Sequence, residues 1–430
     1  MSNKKGLLAL SPLFMLIAFI VMFTIYSVDK GKNEPNLSLS VAFMLSSIYA
    51  IIISGGLPIT KRIDMFSRGA GAGNLMLMLW IYVLAGAFAA SAKSMGAIDT
   101  TVNLTLHYLP SDMLLPGLFL AACFISVSIG TSVGTVVALV PIAAGIAHST
   151  GFNTALMTAV IVGGAYFGDN LSFISDTTVV ATQTQGCAMK DKFRVNFAIV
   201  APAALIILII YFFLGNEISA PTTVPPVEYV KMLPYLIVLI TAIAGMNVMA
   251  VLTLGLFLCG IIGMATGDYN VYSWFSVMGD GVLGMGELVI IAMMAGGMLE
   301  IIRENGGIDY IIDKMTRKIN SKRGAELSIA TLVSFVNICT ANNTVAILTV
   351  GSIAKKIGDK YGVDNRKAAS ILDTFSCCVQ GLIPYGVQML LAAGLAGVNP
   401  IQILSYLYYP MAIGVAALMS ILLRYPKKFS

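Results

Sequence analysis

Charge is scarce in this sequence: 11% of its 430 residues are Asp, Glu, Lys or Arg, while 57% are apolar. A chain so poor in charge cannot clothe a water-soluble surface, and the composition is that of a membrane protein. Histidine is nearly absent. His107 and His148, the two present, fall near the ends of apolar runs, so neither is assigned as a proton relay. The six cysteines lie mostly inside apolar runs without Cys-x-x-Cys or Cys/His spacing. That excludes a zinc site or a disulfide framework and leaves small core residues. No His-Glu-x-x-His, Gly-x-Ser-x-Gly or Ser/Lys arrangement stands in a context that would make it catalytic, so the chain is read as no enzyme and as needing no cofactor. The excess of 26 Lys and Arg over 21 Asp and Glu reads as loop bias in a membrane chain rather than as a nucleic-acid footprint.

What the sequence has is long apolar runs. A hydrocarbon layer of about 30 Å needs about 20 apolar residues of helix, and the segments 7–28, 37–57, 73–93, 189–215, 231–245, 247–266, 286–303 and 400–424 are read as spans. The first follows Lys4 and Lys5, but it is too long for a signal peptide's apolar core and lacks a small-x-small cleavage site, so it is kept as a span. Four further segments are too long for one crossing and are interrupted near the middle by Gly, Asn, Ser, Thr or Asp. Taking 112–148 and 324–357 as re-entrant hairpins, and 152–185 and 366–398 as broken crossing helices, puts 22 of the 26 basic residues on one side. By the positive-inside rule that side is the cytoplasm. The expected fold is therefore an all-α membrane protein with about ten crossings, two hairpins, two broken helices and both termini cytoplasmic.

A repeat supports this plan. Residues 84–99 (LAGAFAASAKSMGAID) align without gaps on 294–309 (MAGGMLEIIRENGGID), and a polar hairpin tip follows each copy: SIGTSVGT at 128–135 and CTANNT at 339–344. A broken helix with Asp-x-x-Ser comes next in both halves, as Asp169-Asn170-Leu171-Ser172 and Asp373-Thr374-Phe375-Ser376. Five crossings per half is odd, so the halves insert with opposite orientation, as in many secondary transporters. The expected division is 1–215 and 231–430, joined by a linker at 216–230 that holds Pro221, Pro225 and Pro226.

Irregular backbone at membrane depth is tolerated only where protein buries it or it lines a wet cavity, so four interruptions imply a shared polar centre. An ionised Asp there costs on the order of 3 kcal/mol, which calls for a cation or proton as its companion. Burial favours the protonated acid and a bound cation the ionised one, so one carboxylate can trade a proton for a cation. Oxygen ligands suit a hard alkali ion, and no His or Cys cluster suggests a transition metal. Asp169, Asp176 and Asp373 are the candidate carboxylates. Ser172, Thr177, Asn342, Asn343, Thr344 and Ser376 are the candidate neutral ligands. Ser175 or Asp176 can instead cap the second half-helix, and Asn342 to Thr344 can serve the hairpin turn itself. Glu300 reads as the partner of Arg303 or a neighbour. No Lys or Arg stands in either tip or break, which weighs against a free di- or tricarboxylate.

The run Gly164-Ala165-Tyr166-Phe167-Gly168-Asp169 with Ser172 and Ser175-Asp176-Thr177-Thr178, backed by 340–344 and the Asp373 helix, resembles the NhaC-type sodium/proton antiporter family of the ion-transporter superfamily. The resemblance implies exchange of Na+ for H+ across a bacterial cytoplasmic membrane, and in some members carriage of organic acids or amino acids. Where many relatives place Lys after the first Asp and Pro after the first Ser, this chain has Asn170 and Phe173. The expectation is a Na+/H+ antiporter with Na+ bound at Asp169, Asp176 and Asp373. The alternative is a Na+- or H+-coupled carrier of a small organic acid or amino acid, and a homodimer is left open.

Overall fold

The computed structural model describes residues 3–29, 39–173, 175–218, 225–316 and 319–429, and among these the only regular secondary structure is helix. Part of the expected linker, with Pro221, lies outside the described residues, as do Lys30 and Lys32. Seven helices among the described residues are long and apolar enough to cross a membrane, and four shorter apolar helices accompany them.

The first series of elements is α1 (Asn3–Asp29), α2 (Leu39–Ile53), α3 (Ile59–Ala70), α4 (Gly73–Ser94), α5 (Ala97–Tyr108), α6 (Leu114–Ile129), α7 (Ser132–Thr150), α8 (Thr154–Leu171), α9 (Asp176–Gln185) and α10 (Met189–Gly215). The second series is α11 (Leu233–Ile243), α12 (Val248–Ala265), α13 (Val271–Gly284), α14 (Gly286–Glu304), α15 (Gly307–Thr316), α16 (Lys322–Thr340), α17 (Asn343–Tyr361), α18 (Asn365–Leu382), α19 (Val387–Ala396), α20 (Pro400–Leu404) and α21 (Tyr408–Leu422). Helices α6–α7 and α16–α17 are the two helical hairpins. Helices α8–α9 and α18–α19 are the two broken helices, interrupted at 172–175 and 383–386.

The two series run in register. The starts of α7, α8 and α9 at 132, 154 and 176 recur at 343, 365 and 387, an offset of 211. Two of the three helices in each trio end on a matching left-handed glycine: Gly151 with Gly362, and Gly186 with Gly397, at φ of 66 to 71°. That conformation clashes with a Cβ, so the glycines fix where the chain turns back. The aligned segment noted in the sequence becomes helix, turn and helix twice over, α4–α5 around Gly96 and α14–α15 around Gly306.

The series interlock through small residues. Gly86 of α4 lies against Gly281 of α13, and Gly69 of α3 against Gly296 of α14, each so close that an added Cβ would strike the facing backbone carbonyl. Helices in lipid associate through such close approaches because apolar contact alone gives them no advantage over lipid. Helices α3, α5, α13 and α15 were not expected. Ile59–Ala70 carries Lys61, Arg62 and Arg68 and reads as a loop when only apolar length is scored, but its apolar residues fall on one helical face.

Candidate ion-binding site

Each hairpin tip is held against a broken helix by the same kind of bond at equivalent positions. Ser126 Oγ donates to Ala165 O at 2.7 Å in the first series, and Asn337 Nδ2 to Ser376 O at 2.7 Å in the second. The glycines of the Gly-x-x-x-Gly-Asp run make the first contact possible, since a Cβ on Gly164 would meet Ala122 and one on Gly168 would meet Ser126. Helix α8 therefore delivers Asp169 directly beneath the α6–α7 tip. There its carboxylate accepts from Ser132 N at 3.1 Å and Ser132 Oγ at 2.6 Å.

Asp169 is 5% exposed, and no Lys, Arg or His among the described residues lies within ion-pair distance of it. It lines a cavity of about 100 Å³ together with Asp176, Thr177, Asn342, Asn343 and Thr344. These are six of the nine residues expected from sequence. Both hairpin tips and both broken helices contribute to that cavity. Asp176 is exposed at the first turn of α9, where the positive end of the helix favours an anion. Ser175 makes no side-chain capping bond to α9 and instead shares a hydrogen bond with Thr177 Oγ1 at 2.9 Å. Asn342 does cap α17, accepting from Val345 N at 3.0 Å, while also lining the cavity. Its turn role and its place at the site coexist.

Three expected residues stand elsewhere. Ser172 Oγ donates to Val127 O at 2.8 Å, and Ser376 Oγ to Asp373 O at 3.0 Å, so both tie backbone and neither lines the cavity. Asp373 is wholly buried away from the cavity in an ion pair with Lys192, Nζ to Oδ2 at 2.5 Å. This corrects two readings. Lys192 is not a solvated loop charge but a buried residue of α10, with its side chain 0% exposed. A positive charge does serve the first break, reaching it from a neighbouring helix. Lys192 Nζ donates to Asn170 O at 2.9 Å and Thr178 Oγ1 at 2.7 Å, one on each side of the interruption. Asn196, one turn further along α10, donates to Asn170 O at 2.9 Å and Asp373 Oδ2 at 2.8 Å. The last carbonyls of a half-helix have no partner within it and carry partial negative charge. Lys192 and Asn196 supply the partner and the opposite charge.

The Asp-x-x-Ser match between the halves is also corrected. With an offset of 211, Asp169 faces position 380, which is Gln, and Asp373 corresponds to Val162, two turns earlier in its helix. The two acids are therefore not equivalent positions.

A profile of the Na+/H+ antiporter family matches residues 7–216 and 220–427, nearly the whole chain. The protein belongs to the Na+/H+ antiporter family. This member is similar to the Na(+)/H(+) antiporter NhaC of Alkalihalophilus pseudofirmus, at 24% identity over 98% of this chain and 96% of that protein. It is also similar to the malate-2H(+)/Na(+)-lactate antiporter of Bacillus subtilis, at 22% identity over 94% and 91% of the two chains. Among solved structures, the YdaH transporter of Alcanivorax borkumensis matches 90% of this chain and 98% of its own, with 12% identity and a TM-score of 0.42. The family is one of membrane transporters, and the multi-pass helical fold of this member accords with it.

A second, larger cavity of about 510 Å³ adjoins the first in this family member, sharing Met78, Asn342 and Val387 with it. Its lining is largely apolar but includes Glu300, Arg303 and Asp309. Glu300 pairs with Arg303 at 2.6 Å, as expected. No group of three or more His, Cys, Asp or Glu able to hold a metal occurs among the described residues.

Proposed function

We propose that the protein exchanges Na+ for H+ across a bacterial cytoplasmic membrane, with Asp169 as the carboxylate that both ions share. One observation carries this reading: of the two buried carboxylates on the broken helices, Asp373 has a permanent cation in Lys192, whereas Asp169 has only Ser132 and an adjoining cavity. At about 30 Å³ per water, that cavity suits a partly dehydrated alkali ion with two or three waters. Its lining of carboxylate, hydroxyl and amide groups is a hard-oxygen set.

Coupling then follows from electrostatics. A bare Asp169 carboxylate moving through membrane depth costs on the order of 3 kcal/mol, roughly a hundredfold in population, while protonation or Na+ binding removes that charge. The site crosses loaded with one ion or the other, which is exchange rather than leak. The Lys192–Asp373 pair adds no net charge to the moving part. The charge-based orientation, with ten crossings and inverted halves, puts Arg303 and hence the larger cavity on the cytoplasmic side, as the path to Asp169.

A second reading, a Na+-coupled carrier of a small organic acid or amino acid, draws on the size of the larger cavity, which falls in the range of organic-ligand pockets. Proteoliposomes holding a pH dye and an imposed pH gradient separate the two. Na+ alone is expected to dissipate the gradient saturably in wild-type liposomes. Inertness to Na+ until a carboxylic or amino acid is added would sink the first reading in favour of the second.

A further inference from the structure

We infer that Gln380 is a second side-chain ligand of the transported monovalent cation, facing Asp169 from the quasi-equivalent position in the other half. The inference rests on the sodium/proton reading and extends it to a residue that the sequence did not single out.

Four observations meet on this side chain. Gln380 stands 211 residues after Asp169, at the same place in the second broken helix as Asp169 holds in the first. It is 1% exposed and lines the same cavity of about 100 Å³. Its amide nitrogen uses both hydrogens, donating to Ala341 O at 3.0 Å and Gln388 Oε1 at 3.2 Å. Its Oε1 has no hydrogen-bond partner.

Buried polar atoms are nearly always paired, so an unpaired carbonyl oxygen beside a polar cavity asks for a missing partner. Turning the amide over would not supply one, because the nitrogen would then lose Ala341 O and Gln388 Oε1. The orientation is locked, and the free oxygen suits a cation because it can only accept. The lock extends to the carboxylate itself. Gln388 Nε2 donates to Ser132 Oγ at 3.0 Å, and Ser132 Oγ donates to Asp169 Oδ2 at 2.6 Å. Gln380, Gln388, Ser132 and Asp169 thus form one directed chain that holds an amide oxygen and a carboxylate on the same cavity.

Asp176 lines the same cavity but is exposed, so the buried pair is one acid, Asp169, and one amide, Gln380, which matches the ion's charge. A buried carboxylate and a neutral oxygen balance a single positive charge, whereas two buried carboxylates would favour a divalent ion. On this account, the amide at position 380 is part of what keeps the carrier monovalent.

Equilibrium binding of radioactive Na+ to the purified full-length protein tests this, with wild type, Gln380→Leu and Gln380→Glu compared and Ca2+ as competitor. Gln380→Leu is expected to weaken Na+ binding by about tenfold or more through loss of the oxygen. Gln380→Glu gives up the two donations to Ala341 O and Gln388 Oε1 but keeps an oxygen on the cavity and adds a charge, so it is expected to weaken Na+ binding less than Gln380→Leu and to gain displacement by Ca2+ that the wild type lacks. If both variants bind Na+ within about twofold of wild type and Ca2+ displaces it from neither, Gln380 is not a ligand. If the wild type itself binds no Na+, the sodium reading beneath the inference is what has failed.

Discussion

Replacing Asp169 by Asn is expected to reduce sodium-driven proton exchange to the level of protein-free liposomes while leaving the protein folded. The amide oxygen can still accept from Ser132 N, and the Ser132 hydroxyl can turn to accept from the new amide, so the tip keeps its contact with α8. What the variant is expected to lose is the charge proposed to be shared by Na+ and H+. Asp169→Glu keeps the charge but pushes it one methylene further into a cavity of about 100 Å³, so it is expected to exchange slowly with weakened Na+ affinity. Dye-monitored exchange in liposomes reads both. Unimpaired exchange by Asp169→Asn would remove this carboxylate from the transport cycle.

The buried Lys192–Asp373 pair is expected to act as a unit. Removing one partner, as in Lys192→Met or Asp373→Asn, leaves a buried charge unpaired and is expected to cost about 3–5 kcal/mol of stability. Lys192→Met also strips the α8 carbonyl end of its donor. The double variant removes both charges and is expected to be less destabilised than either single one, with a coupling energy of roughly 1–3 kcal/mol. Denaturant or thermal unfolding of the four proteins in detergent measures the cycle. Additive losses would show that the two side chains do not depend on each other. Because this pair is self-neutralising, the double variant is further expected to retain Na+ binding at Asp169.

The unequal success of reading this site from sequence has a physical basis. Apolar run length and interrupting polar residues report backbone events, so both hairpins, both broken helices and the Asp169 segment were legible. The Gly-x-x-x-Gly-Asp run was legible for the same reason, because Gly164 and Gly168 are demanded by backbone approach. Lys192 was not, because it follows Lys190 and precedes Arg194 in a stretch that reads as cytoplasmic charge. The signal was there at helical spacing: Lys192, Asn196, Ile199, Val200, Ala203 and Ile207 form one buried stripe of α10, with the two polar residues at its start.

Matching the halves by motif was also misleading. Asp-x-x-Ser recurs by chance seven residues out of register, whereas the turn glycines Gly151 with Gly362 and Gly186 with Gly397 carry the offset that sets Gln380 opposite Asp169. A glycine required by positive φ marks a backbone turn, so it reports the offset between the two series more directly than side chains that have different roles. Hydrogen-bond direction, which singles out the oxygen of Gln380, has no counterpart in sequence at all.

Competition of Na+ and one proton for Asp169 is read out by equilibrium Na+ binding measured as a function of pH. The account predicts that, on the acid side, the apparent Kd for Na+ rises about tenfold for each unit fall in pH, the linkage of one proton to one ion. It also predicts that Asp169→Asn abolishes the dependence. A wild-type Kd for Na+ that stays flat across the acid range would contradict the claim, because Na+ and H+ would then bind at separate places.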